Sequence, residues 1–206
     1  MPSLHGEPPS SRRRFLAGLA VPDELAPLDA AAERWAPHIV LDALHLPVPQ
    51  RRELRQLIHA LPQEERISVF TPKRLAPLAH PGGWVIRMLQ YRNLGWTGMG
   101  KLLAVVTPTY LSASTYSAIG FGRQELTPRM VTDFAALLGI DARELAALTS
   151  VYLREMPPPP TPEAVEAAAL LWEARRLSVG QARHIAELAR SMRGDSREYF
   201  TNSPGP

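Results

Sequence analysis

The chain has 206 residues, 45 % of them apolar and 21 % charged, which supports one or two globular domains with a buried core and excludes a chain too polar to fold. It has no cysteine, which excludes a disulfide framework, a thiol nucleophile and cysteine-based zinc or iron–sulfur sites, and which fits a reducing cytoplasm. The formal net charge is +3 and the surplus is central, because residues 81–130 hold five basic groups against one acidic, a balance that favours a polyanionic partner.

Residues 1–11 contain three prolines, three serines and a glycine, and read as a disordered tail. The run Ser11-Arg12-Arg13-Arg14-Phe15-Leu16 is similar to a twin-arginine export signal. Its apolar stretch ends at Pro22-Asp23-Glu24, however, which is too short for such a signal. No apolar run approaches the ~20 residues of a membrane span. The expectation is a cytoplasmic protein with no membrane partner.

An N-terminal helical region is expected over 12–80, with short helical patterns at 23–35, 37–46, 49–61 and 72–79, each starting at or next to a proline. In the third, Leu54, Leu57, Ile58 and Leu61 predict one buried stripe. Ile67-Ser68-Val69-Phe70 is a strand-like run without a partner, and Pro81-Gly82-Gly83 reads as a break. Five helices follow within 84–155: 84–94, 96–106, 112–121, one opened by Thr127-Pro128 and ended by Gly139, and 142–152 capped by Asp141 with Glu144. The prolines of 156–162 predict a stiff linker, and helices over 162–176 and 179–193, capped by Thr161 and Ser178, predict a C-terminal hairpin over 163–193. Its apolar face, Leu170, Leu171, Leu177, Ile185 and Leu188, suits dimerisation, and residues 194–206 read as a frayed tail. The fold class is all-α. Trp35, Trp84, Trp96, Trp172 and Phe134 are expected in the core.

Two segments of the central helices carry a family pattern. Leu111-Ser112-Ala113-Ser114-Thr115-Tyr116-Ser117-Ala118-Ile119-Gly120, followed by Thr127-Pro128, resembles the recognition-helix segment of the XRE-type (repressor/Cro-like) helix-turn-helix family. Phe134-Ala135-Ala136-Leu137-Leu138-Gly139-Ile140-Asp141-Ala142-Arg143-Glu144-Leu145 resembles that family's closing segment. The resemblance covers about a third of the chain. It implies a five-helix DNA-binding domain over 84–155 and a bacterial transcriptional regulator of actinobacterial type, acting on double-stranded DNA as a homodimer. The segment Trp172-Glu173-Ala174-Arg175-Arg176-Leu177-Ser178-Val179-Gly180-Gln181 is similar to the junction between that family's first two helices, with no recognition helix after it.

The base-reading positions implied by the resemblance are Ala113, Ser114 and Ala118, which offer one hydroxyl and no bidentate donor. Readout then falls to Ser114, Thr115 and Tyr116, to thymine methyl contacts, to the long loop over 107–110 before the helix, with Thr109 as its site residue, or to duplex shape. Helix starts near Thr97 and Ser112 suit backbone phosphates, with Lys101 and Arg123 as the adjoining charges and Gln124 and Arg129 as further candidates. The same missing donors support a second reading, a protein-interaction module on a helix-turn-helix scaffold with its partner held by the loop over 105–110 and the terminal helices.

Gly95-Trp96-Thr97-Gly98-Met99-Gly100-Lys101 satisfies the phosphate-loop pattern, but Leu102 replaces the magnesium-binding hydroxyl and the preceding segment reads as a helix rather than a strand. The histidines, at 5, 38, 45, 59, 80 and 184, form no metal-ligand spacing, and no nucleophilic triad is evident. No cofactor, metal or enzymatic activity is expected.

Overall fold

The computed structural model describes residues 27–65 and 75–194, and the backbone of the last helix as far as Thr201. The expected tail over 1–11, the run over 67–70 and the starts of the segments at 23 and 72 lie outside the described residues. All regular structure among the described residues is helical, as expected. A 3-10 turn at Ala30–Arg34 precedes α1 (Ala36–Leu44) and α2 (Val48–Ala60). Five helices follow: α3 (Pro81–Gln90), α4 (Trp96–Val106), α5 (Ala113–Gly120), α6 (Pro128–Leu138) and α7 (Ala142–Thr149). The chain then closes with α8 (Pro162–Ala174) and α9 (Val179–Thr201). None of these helices is long and apolar enough to cross a membrane.

Local chemistry explains most boundaries. The Thr127 hydroxyl accepts the Met130 N–H at the start of α6, and Gly139, at φ 68°, ends that helix in the left-handed region. Asp141 caps α7 through the Arg143 and Glu144 N–H groups at 2.8 and 3.2 Å. That helix stops at Thr149 rather than 152, because Ser150 turns left-handed and the Val151 N–H returns to the Ala146 carbonyl. At α9, Ser178 and Gln181 cap each other reciprocally, each backbone N–H donating to the other's side-chain oxygen at 3.2 Å. The same helix runs on as far as Thr201, into the segment read as a frayed tail, whose last residues lie outside the described ones.

Helix α3 starts earlier than expected. His80 caps it, Nδ1 accepting the Gly83 N–H at 3.1 Å, and Pro81 takes the first turn, so the Gly-Gly pair lies inside the helix rather than breaking it. A Cβ on Gly82 would lie 2.4 Å from the Ile119 carbonyl oxygen, and one on Gly120 would lie 3.2 Å from both Ile86 and Trp96. These two glycines therefore let α3 and α5 approach backbone to backbone.

The terminal segments close on each other. Helix α1 packs chiefly on α9 and α8 and also on α4, so the face of the C-terminal hairpin expected to dimerise is covered within the chain. Leu170, Leu171, Leu177 and Ile185 are buried there, and Leu188 is half-buried. Arg193 Nη1 reaches Asp42 at 2.8 Å, and the Arg55 guanidinium forks onto Glu173 with Nη2 at 2.5 Å. Of the expected stripe on α2, Leu54 and Ile58 are buried and Leu61, at the helix end, is half-buried against the core, whereas Leu57 turns to solvent. Phe134 is buried and Trp35, Trp84 and Trp96 are partly buried, whereas Trp172 is 39 % exposed and is not a core residue.

Candidate nucleic-acid interface

Helix α5 shows one face to the core and the other to solvent. Tyr116, Ile119 and Gly120 are buried, with Tyr116 against Phe134 at 6.1 Å between ring centroids. Ser112 and Ser114 are exposed, while Ala113, Thr115, Ser117 and Ala118 are half-buried. The Ser112 hydroxyl caps the helix by accepting the Thr115 N–H at 3.2 Å. It also shares hydrogen bonds with the Ser114 and Thr115 hydroxyls at 2.7 and 3.0 Å. Three adjoining hydroxyls at a helix start make a polar tip suited to accept or donate to an external group.

Two of the expected contact residues are not part of this surface. Tyr116 packs inward because its helical position coincides with that of Ile119 and Gly120, and burial, reinforced by the nearby Asp133 charge, pushes its phenol up to about 12. Thr109 is also buried, its hydroxyl donating to Asp133 Oδ2. It fastens the long loop to α6 instead of facing a ligand. Arg129 is exposed but supports the same loop, donating to the Pro108 carbonyl at 3.0 Å. Thr107 completes the anchorage, its hydroxyl donating to the Leu103 carbonyl at 2.7 Å and accepting the Thr109 N–H at 3.2 Å. The loop between α4 and α5 is thus held in place, and it carries Tyr110 into solvent at 86 % exposure.

Burial is the largest influence on Asp133 and raises its carboxyl above the ordinary range, against the opposing hydrogen bond from Thr109 and the charge of Arg129. A raised native value means that the folded state holds this proton more tightly than the unfolded one. Its contribution to stability is therefore complete below the ordinary carboxylate range and is lost as pH rises through the native value. Unfolding in urea at a series of pH values from 7 down to 4 should show wild type gaining on Asp133→Asn as the pH falls. A difference that stays constant over that interval would contradict this assignment.

Lys101 and Thr97 are exposed on α4, and the structure surrounds them with groups the sequence did not single out. Arg34 and His38 join them in lining a cleft of about 300 Å³ at the start of α4, with Glu33 at its edge. Burial lowers the pKa of His38, and the charges of Lys101 and Arg190 lower it further against the opposing charge of Asp42. Gly95 is the N-cap of α4 and Lys101 lies in its second turn; the preceding element is helix α3, so the phosphate-loop pattern lacks its strand. At the other end of α5, exposed Arg123 lies 5.9 Å from the Phe121 ring, and Phe121 in turn contacts Trp96. Gln124 is half-buried, its backbone N–H bonded to the Ala118 carbonyl at 3.3 Å. No sequence pattern pointed to Phe121, because an exposed aromatic is recognisable only once the core is known; Tyr110 lies in the loop over 105–110 already considered for a partner.

The fold defines an all-α protein in which a short, capped helix presents a hydroxyl-rich N-terminal end, with Lys101 on the preceding helix and Arg123 beyond its C-terminal end. Comparison of the chain with protein-family models, with curated proteins and with solved structures finds no match. Among the described residues, no three histidines, aspartates or glutamates group in a way that could hold a metal ion.

Proposed function

We propose that the protein binds double-stranded DNA sequence-specifically and acts in the cytoplasm as a homodimeric transcriptional regulator of the XRE-type helix-turn-helix kind. The observation that carries this reading is the orientation of α5: its buried side holds it against α3 and α4, while Ser112, Ser114 and the half-buried Thr115 face outward. Placed in a major groove, that end offers hydroxyls to base edges and, through Ala113 and Ala118, small surfaces to thymine methyl groups. Lys101, Thr97 and Arg123 then serve the phosphates, and shape readout supplies discrimination that these short side chains do not. The homodimer of this proposal uses a surface other than the covered face of the C-terminal hairpin.

The test is enrichment of genomic DNA fragments by the full-length protein at physiological salt, where non-specific binding is already weak at about 10⁻⁴ to 10⁻⁶ M. A common, nearly palindromic site is the expected result; enrichment of no sequence above background would overturn the proposal. On the recovered site, Arg123→Ala should weaken binding to all sequences and reduce the salt slope by about one. An unchanged slope would remove Arg123 from the phosphate contacts.

A second reading is favoured by the small outward residues of α5 together with exposed Tyr110 and Phe121: a surface that packs against a protein helix. A partner retained by the full-length protein after nuclease digestion, with no DNA site enriched, is the result that reading expects.

A further inference from the structure

Trp172 is the one tryptophan the sequence misplaces, and two arginines explain its position. The Arg175 and Arg92 guanidinium carbons lie 3.6 and 4.3 Å from the centre of its ring. Among the described residues neither side chain makes an ion pair or a hydrogen bond, and the Nε atoms of both are buried without a partner. Burial, then the charge of Arg175, depresses the Arg92 guanidinium to about 10, so it remains charged at neutral pH while no carboxylate among the described residues compensates it. A pair of like charges held this way is costly unless something of opposite sign completes it.

Arg92 and Trp172 open onto a cleft of about 640 Å³ between α6 and α8. Its remaining wall is mostly apolar, with Ala136 and Ile140 on one side and Val165 and Ala169 on the other. The acidic group at the rim, Asp141, is engaged by two backbone N–H groups and lies 3.5 Å from Arg143 Nε, which offsets its charge. The volume falls within the range of about 300–1,000 Å³ that small-molecule sites occupy. A guanidinium stacked on an indole is weakly hydrated and keeps its planar fork free for an oxyanion.

We propose that this cleft binds a small organic anion, its phosphate or carboxylate held by Arg92 beside Trp172 and its apolar body lying between α6 and α8. Arg175 adds the second positive charge on the same ring. The site shares no residue with α4 or α5 and stands independently of the DNA-binding reading.

Calorimetric titration of the full-length protein with phenyl phosphate, benzoate and neutral benzyl alcohol tests this directly. At least one of the two anions should bind saturably, about tenfold or more tightly than benzyl alcohol, and the comparison of the two identifies the preferred oxyanion. Arg92→Gln should weaken that binding about tenfold or more. Ala169→Phe, which fills the cleft and leaves Arg92 in place, should abolish it and decides the matter should Arg92→Gln fail to fold. Absence of saturation by either anion at millimolar concentration overturns the proposal, as does equal binding of benzyl alcohol. Binding that a folded variant of either kind leaves unchanged also overturns it, because the anion then sits elsewhere.

Discussion

Exchanging Asp29 for alanine should lower the unfolding free energy by about 1.5–3 kcal/mol, the range for hydrogen bonds to a charged group. Asp29 is buried and joins three parts of the chain. Its carboxylate accepts the Ala31 N–H at 2.8 Å within the 3-10 turn and the Val179 N–H at 3.0 Å at the start of α9, where a negative charge also complements the helix dipole. Its carbonyl accepts Asn93 Nδ2 at 3.1 Å, in the turn between α3 and α4. Alanine keeps the carbonyl and deletes both carboxylate contacts. Asp29→Asn should recover only part of the loss, since an amide nitrogen must then face one of the two N–H donors. Urea denaturation followed by circular dichroism measures both variants; an alanine variant within about 0.5 kcal/mol of wild type, the range of ordinary surface substitutions, would show that Asp29 does not tie these segments together.

Alanine at Gly82 should cost about 1–3 kcal/mol, the penalty of forcing an extra carbon into close packing. The new Cβ meets the backbone oxygen of Ile119 at 2.4 Å, and a backbone atom cannot rotate away as a side chain can. Relief requires α3 and α5 to separate. For a chain of this size the melting temperature should fall by about 2–4 °C per kcal/mol. Gly180→Ala is the matched control, since its Cβ would find only Ser178 Oγ at 3.9 Å. There the gain in helix propensity, up to about 1 kcal/mol, should prevail. If both alanine variants were equally stable, the close approach of α3 and α5 would not be a constraint. Because Gly82 holds α5 in position, its variant should also lose affinity for any DNA site recovered by the wild type.

Helices α6 and α7 were legible because their signals act within a single turn: Thr127 with Pro128, Gly139, and Asp141 with its two N–H partners. The start of α3 was not legible for a related reason. A Gly-Gly pair looks like a break when only its own propensity is considered, and the neighbour that makes small residues necessary, Ile119, lies far along the chain. At the candidate site, Ser112 and Ser114 are exposed, whereas Tyr116 and Thr109, also expected to contact a ligand, are buried. A polar group is expected to face water unless a buried partner exists, and for Thr109 that partner, Asp133, is 24 residues away. Half of the arrangement at Trp172 is local, Arg175 being three residues on at the end of the same helix, but Arg92 reaches the ring from the turn after α3 and no local pattern marks it.

The all-α character and most helix boundaries follow from the sequence alone, since caps, proline positions and apolar spacing act over three or four residues. Tertiary packing alone sets the cover of α1 over the C-terminal hairpin, the anchorage of the loop before α5 and the approach of Arg92 to Trp172. Those outcomes depend on pairs as distant as Arg193 and Asp42, 151 residues apart, and no local pattern encodes which buried face will find which partner.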